Sequence, residues 1–98
     1  MASSVLASVR EQLTTITVNG EFCFELNSEF RDAYKQAKPG SNIIVDLENV
    51  DRMDSAALGM LVQLREHVGE NKVKLVNPRN EIKKILEIAN FGSLFEIQ

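Results

Sequence analysis

The chain opens with two short segments in which apolar and polar residues alternate. Val5 to Val9 and Leu13 to Val18 both show this period of two, which is typical of half-buried strands. The polar stretch Arg10 to Gln12 between them favours a turn, so the pattern predicts an antiparallel hairpin. Asn19-Gly20 has turn chemistry and is expected to end the second strand.

From residue 26 onward the apolar positions recur three and four residues apart, which indicates one face of a helix. Asn27 or Ser28 is expected to cap the start of this helix, and Pro39-Gly40 to stop it. The apolar stripe of the helix consists of Leu26, Phe30, Ala33, Tyr34 and Ala37.

The second half of the chain alternates between strand and helix patterns. The β-branched run Asn42 to Leu47 predicts a strand buried on both faces. After a connection from Glu48 to Met53, Ser55 to Val68 predicts a helix that Gly69 ends, and Val73 to Val76 predicts another strand.

A third helix and a last short strand are expected to complete the fold. Asn77-Pro78 predicts an N-cap followed by proline at the first helical position, and Asn90 is expected to end the helix. Its apolar stripe consists of Ile82, Ile85, Leu86 and Ala89. Leu94 to Ile97 favours a final strand. The order of elements predicts an α/β fold with a mixed sheet that opens with a hairpin and is covered by crossover helices.

Length and composition indicate one folded domain over residues 1–98. A chain of 98 residues and 11.0 kDa is too short to divide into two independently stable parts. Its hydrophobic fraction of 44% and charged fraction of 26% are those of an ordinary globular domain, which excludes wholesale disorder.

Charge and rare residues exclude several classes of function. A net charge of −3 and a pI near 5.1 argue against a nucleic-acid surface, which needs clustered Lys and Arg. One cysteine, Cys23, and one histidine, His67, exclude an internal disulfide and Cys-based or multi-His metal centres. We therefore expect no metal and no cofactor.

The sequence also lacks signals for insertion into a membrane or for export. No apolar run approaches the ~20 residues that span a bilayer, so direct membrane insertion is not expected. Met1 to Val9 has no basic start before a long apolar stretch and is a poor signal peptide. The expected location is the cytoplasm.

Catalytic constellations are scarce, so the protein is not expected to be an enzyme. His67 is twelve residues beyond Ser55 on the same predicted helix, or roughly 18 Å at ~1.5 Å per residue, which is too far to act as its base. The five glycines are scattered singly, so no phosphate-binding loop is formed.

One local feature stands out, the stretch Asp54 to Gly59 where the second helix begins. Ser55 is expected at the N-cap of this helix, and on composition alone that cap is a sufficient explanation of the serine. A helical wheel places Ala57, Leu61, Leu64 and Val68 inward. It leaves Ala56, Gly59, Met60 and Gln63 outward beside the serine. The small residues Ala56 and Gly59 would let another protein approach the hydroxyl closely, so Ser55 also suits a site of modification.

The motifs resemble those of the STAS domain family, in its bacterial anti-sigma factor antagonist branch. Val45 to Gly59, with Asp-Leu at the strand end and Asp-Ser-Ala-Ala-Leu-Gly at the helix start, is similar to the family's central signature. Val18 to Phe22 is similar to its Gly-Glu-apolar turn, and Asn77 to Ile97 is similar to its last helix and strand. The resemblance runs in order across nearly the whole chain and implies the STAS fold.

The resemblance implies a partner-switching protein in which Ser55 is reversibly phosphorylated. The implied partners are a serine kinase or anti-sigma factor of the histidine-kinase-like ATPase type, and a PP2C-type phosphatase, in some members carried by a response regulator. The short chain is similar to single-domain antagonists of Gram-negative bacteria that govern biofilm, motility or secretion. Two departures are Cys23, where many members carry aspartate, and Ala57 in place of glycine.

The expected partner surface joins the start of the second helix to the turn before the first. Its residues are Asp54, Ala56, Gly59, Met60, Gln63, Gly20, Glu21 and Phe22. The alternative function is a non-switching STAS subunit of a membrane transport complex, in which Ser55 is only a cap.

Overall fold

A computed structural model describes residues 3–38 and 40–98 of the chain. The strands are β1 (Ser4–Arg10), β2 (Leu13–Phe22), β3 (Asn42–Met53), β4 (Val73–Val76) and β5 (Glu96–Ile97). The helices are α1 (Asn27–Lys35), α2 (Ser55–Val68) and α3 (Asn80–Ile88), and single 3₁₀ turns span Phe24–Leu26 and Phe91–Ser93.

The five strands form one mixed sheet in the order β1-β2-β3-β4-β5. β1 and β2 are antiparallel, whereas β2, β3, β4 and β5 run parallel to their neighbours. Each parallel connection passes through a helix to the adjacent strand in the same direction, and crossovers of one hand then place the three described helices on one face of the sheet, where they share one core. The α/β fold, the opening hairpin and the mixed sheet are confirmed.

The core lies between the helices and that one face of the sheet. Ile16, Val45 and Leu75 are partners in neighbouring strands, and all three are fully buried. Their neighbours Ile44 and Lys74, on the opposite face, are half-buried. The expectation that β3 is buried on both faces is therefore wrong, because the helices cover only one face.

β2 and β3 are longer than their sequence pattern predicts. Asn19-Gly20 does not end β2, and the predicted connection Glu48 to Met53 is strand, paired with β2 as far as Phe22 and Met53. Register shifts between Thr17 and Asn19 and between Gly20 and Glu21 interrupt the period of two. The extension brings the end of β2 beside the start of α2.

The predicted course of α2 is confirmed, but the predicted N-caps of α1 and α3 are not. α2 begins at Ser55 and ends before Gly69, with its predicted inward residues buried. At α1 neither Asn27 nor Ser28 is the cap, since the helix continues directly from a 3₁₀ turn through Leu26. Asn77 is left-handed (φ 59°), and α3 starts only after Arg79. α1 ends at Lys35, before Pro39, which lies outside the described residues.

Asn90 takes the left-handed conformation predicted for it, with φ of 60°. The final strand is shorter than predicted and covers Glu96–Ile97. Within residues 3–38 and 40–98, no helix has the length and hydropathy needed to cross a bilayer.

Candidate functional site

Asp54 joins the start of α2 to the chain that follows β2. Its Oδ1 accepts a hydrogen bond of 3.0 Å from the backbone N–H of Ala57, which makes Asp54 the N-cap of α2. Its Oδ2 accepts from the backbone N–H of Phe24 at 3.4 Å. Its own N–H donates to the carbonyl oxygen of Phe22 at 3.2 Å. Asp54 thus satisfies an unpaired N–H donor of α2 and holds the start of this helix beside the chain segment from Phe22 to Phe24.

Ser55 is the first residue of α2 and is exposed. The expectation that Ser55 is the N-cap is wrong, because the adjacent carboxylate occupies that position with extended backbone angles (φ −99°, ψ 177°). The serine hydroxyl is therefore not needed to cap the helix. Its place in the first turn is one where the helix dipole and unpaired N–H groups favour an anion.

A shallow strip of exposed surface continues from Ser55 along α2. Gly59 and Gln63 follow at intervals of four residues, and both are exposed. A Cβ built on Gly59 would meet no heavy atom within 4 Å apart from its chain neighbours and the backbone of its own helix, so the glycine leaves an open gap one turn from the hydroxyl. Ala56 lies beside this strip and is half-buried.

The helical wheel places Met60 on the outer side of α2, and this prediction is wrong. Its side chain is only 4% exposed and belongs to the hydrophobic core. α2 packs against α1 as well as the sheet, so its buried face is wider than the stripe that the wheel identifies. A partner cannot reach Met60 without opening the core.

Two of the three expected turn residues are also inaccessible. Gly20 is buried with φ of +81°, and a Cβ there would lie 2.8 Å from Ser3 Oγ. That same oxygen accepts a hydrogen bond of 2.9 Å from the backbone N–H of Glu21. Phe22 is fully buried, with its ring 5.1 Å from the ring of Phe30. Of these turn residues, only Glu21 remains exposed for contact with a partner.

The sequence pattern missed Phe24, which is the large exposed apolar side chain of this region. It is 67% exposed, although its backbone is tied to Asp54. A signal for this was present, because extending the helical stripe back from Leu26 places Phe24 about 200° away, on the opposite side. An exposed aromatic side chain whose backbone is fixed by a hydrogen bond is a typical anchor for protein–protein contact.

An open groove of about 400 Å³ lies between the end of β2, the end of β3 and α3. Its apolar lining residues are Phe22, Met53, Ile82 and Ile85. The other residues that line it are Glu21, Cys23, Asp51, Arg52, Asp54 and Glu81. Arg79 bonds to Asp51 at 2.9 Å, so part of this acidic charge is neutralised. The groove widens the concave surface beside Asp54.

The surroundings of Ser55 show no arrangement for nucleophilic catalysis. His67 lies three turns further along α2, where its ring stands 5.2 Å from that of Tyr34. Within the described residues, no group of three or more His, Cys, Asp and Glu side chains is placed to hold a metal ion. Ser55 therefore lies far along α2 from the one histidine of the sequence.

Comparisons with known proteins identify the family of this chain. A family model described as STAS domain matches residues 4–98. A STAS-domain containing protein of Pseudomonas aeruginosa (strain UCBPP-PA14) is 45% identical over 100 residues, which cover 99% of each chain.

Among solved structures, an anti-sigma factor antagonist from Mycobacterium paratuberculosis has a TM-score of 0.80 at 17% identity, covering 98% of this chain and 85% of the other. The anti-sigma factor antagonist SpoIIAA in its unphosphorylated form has a TM-score of 0.70 at 18% identity, covering 99% and 87%. The phosphorylated form of SpoIIAA from Bacillus has a TM-score of 0.65 at 19% identity, covering 99% and 91%. At these identities the structural likeness concerns the fold.

Proposed function

The chain belongs to the STAS domain family, and we propose on that basis that it is a partner-switching protein of the anti-sigma factor antagonist type. In this proposal Ser55 is reversibly phosphorylated, and only the unphosphorylated form binds the partner tightly. The observation that carries the proposal is that Ser55 is exposed at the start of α2 while Asp54 supplies the cap. SpoIIAA, whose fold is similar, has been solved in both phosphorylated and unphosphorylated forms.

The docking surface that we propose is called the switch face. It consists of Glu21, Phe24, Asp54, Ser55, Ala56, Gly59 and Gln63. Phe24 supplies exposed apolar area, and Gly59 lets the backbone or active site of another protein approach the hydroxyl closely. Met60, Gly20 and Phe22 are excluded because they are buried.

Phosphorylation would change the switch face without unfolding the domain. A phosphate on Ser55 adds about −1.5 to −2 charge and three acceptor oxygens. The N-terminus of α2 tolerates this anion, because its dipole and free N–H groups stabilise negative charge. A partner packed onto Phe24 and Gly59 would instead have to desolvate a bulky dianion next to Asp54. The effect is local, and no large conformational change is required.

The proposed switch needs one enzyme that adds the phosphate and another that removes it. A kinase must supply the phosphate from ATP, and we propose a serine kinase or anti-sigma factor of the histidine-kinase-like ATPase type. A PP2C-type phosphatase, alone or within a response regulator, would remove the phosphate. This exchange would take place in the cytoplasm and control an output such as biofilm formation or motility.

Intact-mass measurement tests whether Ser55 is the modified residue. Incubation with the cognate kinase and ATP is expected to add one phosphate to the wild type and none to Ser55→Ala. Because Asp54 supplies the cap bond, Ser55→Ala is expected to melt close to the wild type, so loss of phosphate would not reflect unfolding. Full phosphorylation of Ser55→Ala would place the site elsewhere and refute the proposal.

Substitution of Phe24 tests the extent of the switch face. Phe24→Ala is expected to weaken partner binding by about tenfold or more, since exposed aromatic anchors carry much of the energy of an interface. The melting temperature should hardly change, because the side chain is 67% exposed. A titration calorimetry experiment measures the affinity, and Ile88→Ala, in an 87% exposed residue of α3, is the matched control. Equal affinity of Phe24→Ala and wild type would show that Phe24 is not part of the switch face.

A further inference from the structure

β1 forms one edge of the sheet over seven residues, Ser4–Arg10. On its outer side the part of the chain that the structure describes provides no further strand. Leu6 is 61% exposed and Val9 is 46% exposed, so apolar side chains accompany the open backbone edge. An edge of this kind presents N–H and C=O groups that can pair with another strand.

This edge lacks a proline, a bulge and a run of charged residues, which are three of the features that prevent strand pairing. β1 contains no proline, and its register with β2 is unbroken from Ser4 to Arg10, so no bulge bends it away. Arg10, at its end, is its one charged residue. β5, at the opposite edge of the sheet, is only two residues long and has little backbone to offer. β1 is therefore the edge at which pairing is expected.

The hairpin geometry indicates which backbone groups point outward. Glu11 and Gln12 alone connect Arg10 to its partner Leu13. In a two-residue hairpin the flanking residues exchange hydrogen bonds, and bonded and non-bonded pairs then alternate along the strands. The hydrogen-bonded pairs with β2 are therefore those of Arg10, Ser8, Leu6 and Ser4. The N–H and C=O groups of Val5, Ala7 and Val9 face away from β2.

We propose that a second copy of this chain pairs with β1 antiparallel across a two-fold axis at Ala7, joining the two sheets into one. In this register Ala7 meets Ala7 of the second copy and Val5 meets its Val9. The three outward residues would form about six backbone hydrogen bonds. The interface is isologous, as in most homodimers.

The sequence of β1 favours a copy of itself as the occupant. Pairing about Ala7 places β-branched Val5 and Val9 opposite one another on the helix side, which is a favourable cross-strand pair. Arg10 meets Ser4, and the two arginines lie at opposite ends, so no like charges face each other. This edge is separated from β3 and Ser55 by β2, so the proposal is independent of the phosphorylation switch.

Sedimentation equilibrium of the full chain tests the dimer. The wild type is expected to approach twice its 11.0 kDa mass as concentration rises. Val9→Lys should remain at the monomer mass, because two lysines would be buried at the paired strands. The matched control is Leu13→Lys, since Leu13 is 41% exposed but lies on β2, and it should dimerise like the wild type. The proposal would be overturned if the wild type stays monomeric, or if Val9→Lys and Leu13→Lys lose the dimer to the same extent.

Cross-linking tests the register without depending on a disruptive variant. In a Cys23→Ser background, Ala7→Cys places two thiols at the two-fold axis, where paired Cα atoms are about 5.5 Å apart and a disulfide fits. Val9→Cys leaves the two Cα atoms about 14 Å apart, which no disulfide spans. Oxidation should therefore give a covalent dimer only with Ala7→Cys. Cross-linking of Val9→Cys alone, or of neither variant, would contradict this register.

Discussion

Gly59→Arg is expected to reduce partner binding by about a hundredfold or more while leaving the domain at least as stable as the wild type. A Cβ at this position meets no heavy atom within 4 Å outside its own helix backbone and chain neighbours, so the long side chain projects into solvent over the switch face. Arginine is also a better helix former than glycine by roughly 1 kcal/mol, which favours folding. Titration calorimetry measures the affinity, and a thermal melt followed by circular dichroism measures the stability.

Gly59→Ala is the matched control for this experiment. It makes the same gain in helix propensity but adds only a methyl group, so it should bind within a few-fold of the wild type. If Gly59→Arg binds as tightly as Gly59→Ala, the partner does not approach α2 at this turn. The docking surface would then have to lie elsewhere on the domain.

Ser55→Asp is expected to weaken partner binding by at least about tenfold without lowering thermal stability below that of Ser55→Ala. One carboxylate has less charge and fewer acceptor oxygens than a phosphate, so the effect should be smaller than that of phosphorylation. In the first turn of α2 the carboxylate is favoured by the helix dipole, by about 0.3–1 kcal/mol at an exposed site. At the partner interface the same charge must be desolvated beside Asp54, which opposes binding.

Ser55→Asn separates the effect of charge from that of shape. Asparagine has nearly the size of aspartate but no charge, so it should retain most of the wild-type affinity. Unfolding of Ser55→Asp would mean that the serine has a structural role that its exposure does not indicate. Wild-type affinity in Ser55→Asp would favour the alternative, a STAS subunit that does not switch.

The helix and strand patterns with an uninterrupted period were predictable from the sequence. The inward stripe of α2 recurs at helical spacing, and Gly69 provides a clear end, so both bounds of this helix were correct. Val73–Val76 was equally well defined. The ends of β2 and β3 were not predictable in this way, because the register shifts near Gly20 disrupt the alternation of buried and exposed residues.

The candidate site depended on details that the one-dimensional pattern does not contain. Asp54 and Ser55 are both good capping residues, and the backbone angles of Asp54 together with its hydrogen bond from Ala57 show that Asp54 is the cap. Met60 lies about 70° from the centre of the apolar stripe and is buried because α2 also packs against α1. Phe24 was missed because the chain leaves the strand for a 3₁₀ turn immediately before it.

The most direct test of partner switching is to titrate one partner, the cognate kinase or anti-sigma factor, with the unphosphorylated protein and with protein phosphorylated on Ser55. Both samples should show the same melting behaviour and circular dichroism, since the phosphate lies at a helix N-terminus that favours it. Phosphorylation is expected to weaken binding by about a hundredfold, equivalent to about 2.7 kcal/mol. Equal affinity of the two forms would contradict partner switching through Ser55.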